Sequence, residues 1–336
     1  MAESSYLAPA WLPGGHLQTL YPYFFSPKPS LPYRRERWEL PDGDFLDADW
    51  IEGSPSAPLL VLFHGLEGNA QGHYALALMQ EVKKLGWGGV VVHFRGCSGT
   101  PNRLARAYFA GDSAEIGWVL NRLRAQHSGN LYAVGYSLGG NALLRWLGEQ
   151  GTHAATVLDA AVAVSAPLDL TAAGHTLDQG INRLLYVRHF LRSLKHKARL
   201  KARRYPNLFN AQAVKRASTL WQFDHHYTAP LHGYRSANDY WTRAASLPVL
   251  QYIAVPTLLI NARNDPFLPG HTLPETNQVS SSVTLDFPAQ GGHVGFVSGH
   301  YPGHVQWLPT RIVTFLAQSE NRLKQQKPAA TFPIVR

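Results

Sequence analysis

The pentapeptide Gly135-Tyr136-Ser137-Leu138-Gly139 follows an apolar run at 131–134 and precedes a helix-forming stretch at 141–147. A G-x-S-x-G turn between a buried strand and a helix folds the helix back against the sheet and lifts the serine hydroxyl clear of its own backbone. Its chemistry is acyl transfer. Taken alone the motif is common. Here it is followed by Asp265, in Asn264-Asp265-Pro266-Phe267, and by His293, in Gly291-Gly292-His293-Val294-Gly295. That is the order nucleophile, acid, base in which a sheet-borne serine triad is strung along its chain.

The surrounding pattern supplies the sheet. Residues 37–40 and 45–51 alternate as a first antiparallel pair around the turn Pro41-Asp42-Gly43-Asp44. The runs 59–64, 89–94, 131–135 and 160–165 are short, apolar and ended by turn residues, as strands buried on both faces should be. Between them, 73–85, 112–126 and 138–149 read as helices, the second with an acidic start at Asp112. Such a succession predicts a mostly parallel central sheet with helices on both faces. The rhythm then breaks. From 168 to 246 no strong strand run occurs, while 177–201 is long, basic and largely helix-forming, so this stretch reads as a helical cap inserted into the sheet. Strands resume at 255–261 and 282–287, and a last helix is expected at 309–322. The resulting division is an N-terminal arm packed on the core (1–35), a core in two parts (36–167 and 247–323), the cap (168–246) and a polar tail (324–336).

Composition excludes several classes. The chain of 336 residues is 45% hydrophobic, enough for a large core, yet no run approaches the roughly 18 apolar residues of a membrane span. It opens without a basic segment, short apolar block and cleavage site, so a cytoplasmic location is expected. One cysteine, Cys97, leaves no disulfide framework within the chain and reads as a packed residue. Short zinc signatures are absent despite 16 histidines, and neither a P-loop nor a G-x-G-x-x-G fingerprint occurs. No metal and no cofactor are therefore expected. The net charge of +9 is concentrated at 192–204, which holds seven Lys or Arg and no acid. Nucleic acid is not the expected partner, since no binding motif accompanies the charge. The basic helix reads either as a solvated face or as a peripheral contact with an anionic membrane.

Serine is a poor nucleophile at neutral pH, so His293 is expected to accept the proton of Ser137 during attack, with Asp265 fixing the imidazole tautomer. Singly, each has a plain structural role open to it: a turn serine, a cap before Pro266, a hydrogen-bonding loop histidine. The developing oxyanion needs donors, and the main-chain N–H groups of Leu138 and Leu66 are the candidates, the latter in the glycine-bearing loop His64-Gly65-Leu66-Glu67-Gly68. His64 is expected to organise that loop and not to act as a base. In the cap, Leu184, Leu185, Tyr186 and Phe190 are candidates to line an acyl pocket or to pack between cap and core.

These residues, together with Gly14-Gly15-His16-Leu17-Gln18-Thr19-Leu20, Phe94-Arg95-Gly96-Cys97-Ser98-Gly99, Phe223-Asp224 and Gly139-Gly140-Asn141, resemble the AB hydrolase family 4, or YheT-like, branch of the α/β-hydrolase superfamily. The resemblance implies an α/β-hydrolase fold with Ser137, Asp265 and His293 as triad. It also implies carboxylic-ester hydrolysis on short- to medium-chain or acylglycerol-like esters. Members commonly carry aspartate where this chain has Asn264, which removes a charge beside Asp265 without replacing it. Transfer of the acyl group to an alcohol uses the same acyl-enzyme and is the alternative enzyme class. A non-catalytic binding protein on the same fold is the alternative outside enzymes.

Overall fold

The computed structural model describes residues 6–326; the tail expected at 324–336 lies mostly outside them. Eight strands form one sheet in the order β1-β2-β4-β3-β5-β6-β7-β8. They are β1 (Arg34–Glu39), β2 (Phe45–Ile51), β3 (Leu59–Phe63), β4 (Gly88–His93), β5 (Leu131–Tyr136), β6 (Ala160–Val164), β7 (Thr257–Ile260) and β8 (Val283–Asp286). β2 runs antiparallel to both β1 and β4, and the other pairs are parallel. Alternation along each central strand divides the apolar residues between two cores. Leu60, Leu62, Tyr132, Val134 and Val162 face one side, and Val61, Phe63, Ala133, Ala161 and Ala163 the other. Both faces must therefore be covered.

Helices α2 (His73–Lys84) and α12 (Trp307–Gln326) cover the first face, and α3 (Ser113–Gln126) and α4 (Leu138–Gln150) the second. Asp112 caps α3 by accepting the Glu115 N–H. The arm carries α1 (Gly15–Phe25).

Between β6 and β7 the chain leaves the sheet for an inserted helical region: α5 (Leu170–Leu177), α6 (Gly180–Asn182), a π-helical turn (Arg183–Val187), α7 (Arg188–Arg204), α8 (Ala211–Arg216), α9 (Leu220–Phe223), a second π-helical turn (Asp224–Thr228), α10 (Ala229–Leu231) and α11 (Ala237–Ala244). The stretch expected to be largely helical at 177–201 is helix from Gly180 onward, and only its start is broken. Asp178 turns its carboxylate onto the N–H groups of Leu220 and Trp221, and Gly180 takes a positive φ of 49°, so the helix axis restarts after Gln179. Asn141 fastens the far end of the insertion to α4: its amide donates to the carbonyls of Ala110 and Ala244 and its oxygen accepts the Ser246 N–H. Among the described residues no helix is long and apolar enough to cross a membrane.

Candidate active site

The loops that follow β3, β5, β7 and β8 meet at the C-terminal edge of the parallel strands, where open α/β sheets place their crevice. Ser137 sits in the turn from β5 to α4 with φ 51° and ψ −120°, a conformation costly for a residue with a Cβ. Its N–H is held by the Val164 carbonyl at 2.8 Å. The flanking glycines are required by close approach: a Cβ on Gly135 would stand 2.6 Å from the Gly139 carbonyl, and one on Gly139 would stand 2.4 Å from that of Phe63. The Ser137 side chain is thus fixed at the apex of the turn.

The three residues that the sequence scatters over 156 positions come together. His293 Nε2 lies 2.9 Å from Ser137 Oγ, and His293 Nδ1 lies 3.0 Å from Asp265 Oδ2. The other carboxylate oxygen of Asp265 accepts the Phe267 N–H at 2.8 Å, so both oxygens are satisfied in a side chain that is fully buried. The Phe267 ring stacks on the imidazole with centroids 4.0 Å apart. Phe267 follows Asp265 by two residues, so one short loop supplies the carboxylate, its N–H donor and the ring that covers the His293 imidazole.

The histidine loop is braced from elsewhere, by residues that sequence reasoning left without a role. Thr19 Oγ1 accepts the His293 N–H at 2.8 Å, Ser165 Oγ accepts that of Val294 at 3.1 Å, and Gln18 Oε1 accepts that of Val297 at 2.9 Å. Gly295 must be glycine here, since its Cβ would fall 1.9 Å from the Gln18 carbonyl. The same helix α1 presses Gly15 against the acid loop, where a Cβ would stand 2.1 Å from the Asn264 carbonyl. The arm motif Gly15-His16-Leu17-Gln18-Thr19 is therefore a clamp on two of the three site loops; the motif is part of the family resemblance, which is the one trace of this role in the sequence.

On the opposite side Gly65 faces Ser137, its would-be Cβ 3.1 Å from the serine Cβ. His64 organises this loop as expected. It accepts the Phe94 N–H at Nε2 (3.1 Å), so the proton resides on Nδ1 and is donated to the Gly65 carbonyl at 2.7 Å. Burial drives its pKa down to about 3, which keeps the ring neutral. Among the described residues the N–H groups of Leu66 and Leu138 donate to no protein acceptor. Glu67 takes a positive φ of 56° and ties the loop to the insertion: its carboxylate accepts from Tyr108 at 2.7 Å, from Lys197 Nζ at 2.7 Å and from Ser193 Oγ.

A cavity of about 490 Å³ opens between sheet and insertion, with Ser137 and Leu138 on its floor and Leu170, Leu177, Phe190, Phe223 and Trp241 among its walls. Of the four insertion residues considered for an acyl pocket, Phe190 lines it. Leu184 and Leu185 do not: they point outward, 68% and 42% exposed, from the π-helical turn. Tyr186 is buried against Phe267 and bonds His16 Nδ1 at 3.0 Å. The basic run is also not a uniformly solvated face. Lys197 and Lys201 line the cavity, and Lys201 Nζ donates to Asn102 and to the carbonyls of Leu104 and Arg106 at 2.8–3.0 Å. Burial lowers the Lys201 pKa to about 8. Cys97 is packed, its thiol raised to about 11 by burial.

Comparison with known proteins gives the family. Residues 58–300 match the family model described as alpha/beta hydrolase fold. The chain belongs to the α/β-hydrolase family. Within it the protein is similar to YheT of Escherichia coli (strain K12), 40% identical over 90% of this chain and 89% of the relative. It is also similar to the phospholipase ABHD3 of Mus musculus, 30% identical over 92% of this chain and 77% of that one. Among solved structures, Est1E of Butyrivibrio proteoclasticus with ferulic acid bound superposes with a TM-score of 0.57, covering 85% of this chain and 99% of that one at 12% identity. The last likeness concerns the fold. Membership in a family of esterases, lipases and phospholipases supports a general ester-hydrolase activity of serine-hydrolase type.

Proposed function

We propose that this α/β-hydrolase is a serine carboxylic ester hydrolase that works through an acyl-enzyme on short- to medium-chain or acylglycerol-like esters. Ser137 Oγ attacks the ester carbonyl carbon while its proton passes to His293 Nε2. The carbonyl oxygen, now negative, is received by the N–H groups of Leu66 and Leu138. Collapse of the tetrahedral species expels the alcohol, which takes the proton from His293, and the acyl group stays on Ser137. Water then repeats the sequence, giving its proton to His293 and releasing the carboxylic acid and free serine. Asp265 holds the imidazole with its proton on Nδ1 and stabilises the cation formed twice per cycle.

The observation that carries this reading is the unbroken line from Ser137 Oγ through His293 to Asp265, with separations of 2.9 and 3.0 Å. The apolar walls of the cavity support an aliphatic acyl group, since each desolvated methylene contributes about 0.8 kcal/mol. Similarity to a phospholipase supports esters of lipid origin. Contact with an anionic membrane, one of the two readings of the basic run, belongs to the same proposal, because such esters are met at a lipid surface. The test is turnover of p-nitrophenyl esters of graded chain length, alongside labelling by a fluorophosphonate. Ser137→Ala is expected to lose the label and roughly three or more orders of magnitude in kcat. Retention of both by the variant would refute the assignment.

A further inference from the structure

We infer that the face shared by α1 and the segment leading into α7 is a docking surface for an anionic lipid bilayer. Leu17, Phe24 and Phe25 on α1, and Ile181, Leu184 and Leu185 ahead of α7, are 42–69% exposed. The two segments lie against each other. His16 bonds Tyr186 at 3.0 Å, and the Tyr23 ring meets that of His189, one helical turn beyond Leu185, with centroids 6.2 Å apart. Large side chains spread singly over a surface need no explanation, but a cluster of them on two touching elements marks an interaction site.

Charge selects the occupant. Neither 6–35 nor 179–223 contains a single Asp or Glu, and the acid just before the second stretch, Asp178, is spent on the amides of Leu220 and Trp221. The exposed cations on these segments are Lys28, three residues past α1, and Arg188 and Arg192, which follow the leucines on α7. Apolar side chains that sink below the headgroups, ringed by cations without anions, are what a monotopic contact with anionic lipid requires. The structure also alters the sequence-based picture of a basic helix laid on the membrane. Lys197 and Lys201 face the cavity, so the outward arginines and the exposed leucines form the contact. The inference rests on the ester-hydrolase reading only for its purpose, which is to bring the cavity to lipid esters at their source.

The test is flotation of the full chain with vesicles of phosphatidylcholine alone and of phosphatidylcholine mixed with phosphatidylglycerol. The wild type is expected to float with the anionic vesicles and to be released by salt. Leu184→Glu/Leu185→Glu and, separately, Phe24→Glu should each lower the bound fraction about tenfold or more, because each puts a carboxylate where an apolar group must enter the interface. Both should keep wild-type melting and turnover of a water-soluble short-chain ester. Wild-type protein that stays at the bottom of the gradient, equal binding to neutral vesicles, or variants that float like wild type would overturn the inference. So would a wild-type dimer in sedimentation that Leu184→Glu/Leu185→Glu dissociates, since a second copy would then own the face. Ser137→Ala should float like wild type, so loss of the hydrolase reading and loss of this one give different results.

Discussion

Thr19 Oγ1 accepts the backbone N–H of His293 at 2.8 Å while its own proton goes to the Gly15 carbonyl at 2.7 Å. A residue of the N-terminal arm thereby fixes the backbone of the proposed base. Thr19→Val keeps the shape and removes the acceptor, leaving a buried N–H unpartnered at a cost of about 1–3 kcal/mol. We expect kcat on a short-chain ester to fall about tenfold with little change in KM, and Thr19→Ser to restore it. Wild-type kcat in Thr19→Val would assign the clamp no part in positioning His293.

Glu67 relates the loop proposed to hold the oxyanion to α7 through Lys197 and Ser193. Glu67→Gln removes the counter-charge of Lys197 and relaxes a loop whose Leu66 N–H is proposed to meet the oxyanion. The expected loss in kcat is about tenfold, smaller than the ~10²–10³ that follows removal of a donor outright. Lys197→Met should give a similar loss, and the double variant should be little worse than either single one, as for two ends of one contact. Additive losses in the cycle would separate the two residues.

Asp224 stands in the cavity wall, bonded by Thr228 Oγ1 at 2.6 Å and Trp241 Nε1 at 2.8 Å, and burial raises its pKa from 3.8 to about 6. The folded chain therefore holds this proton more tightly than the unfolded one. The associated stability is fully present below about pH 4 and is lost as pH rises to about 6, above which the deficit stays constant. Asp224→Asn can accept from Trp241 and donate to Thr228, and has no charge to desolvate. Denaturant unfolding across this window should show the wild type losing stability relative to the variant, and parallel curves would contradict the expectation.

Much of the fold was legible because its strands are short apolar runs with clear ends. β2 begins and ends where alternation placed it, and β3, β4, β5 and β6 lie within a residue of expectation at either end. Ser137, Asp265 and His293 stood out as candidates because each follows a strand within a glycine- or proline-marked turn, and the structure brings their side chains within hydrogen-bond reach. The insertion was harder to read. The break after Leu177 depends on Asp178 meeting amides more than 40 residues away, and no local pattern reports such a contact. The outward turn of Leu184 and Leu185 was hidden for a related reason: a π-helical turn shifts the face that periodicity assigns. Lysines 197 and 201 look like solvent-facing charge in sequence because their partners, Glu67 and the carbonyls of Leu104 and Arg106, lie near a different strand.

The threonine clamp also dictates when the molecule becomes competent. Its two halves are separated by 274 residues, so a loop of nearly the whole chain closes only after the sheet between them exists. The serine turn is held by the adjoining strand through the Val164 carbonyl, whereas the imidazole gains its foothold only where the first helix and the last loop meet. A chain cut before that loop would carry the Ser137 hydroxyl without the imidazole that pairs with it.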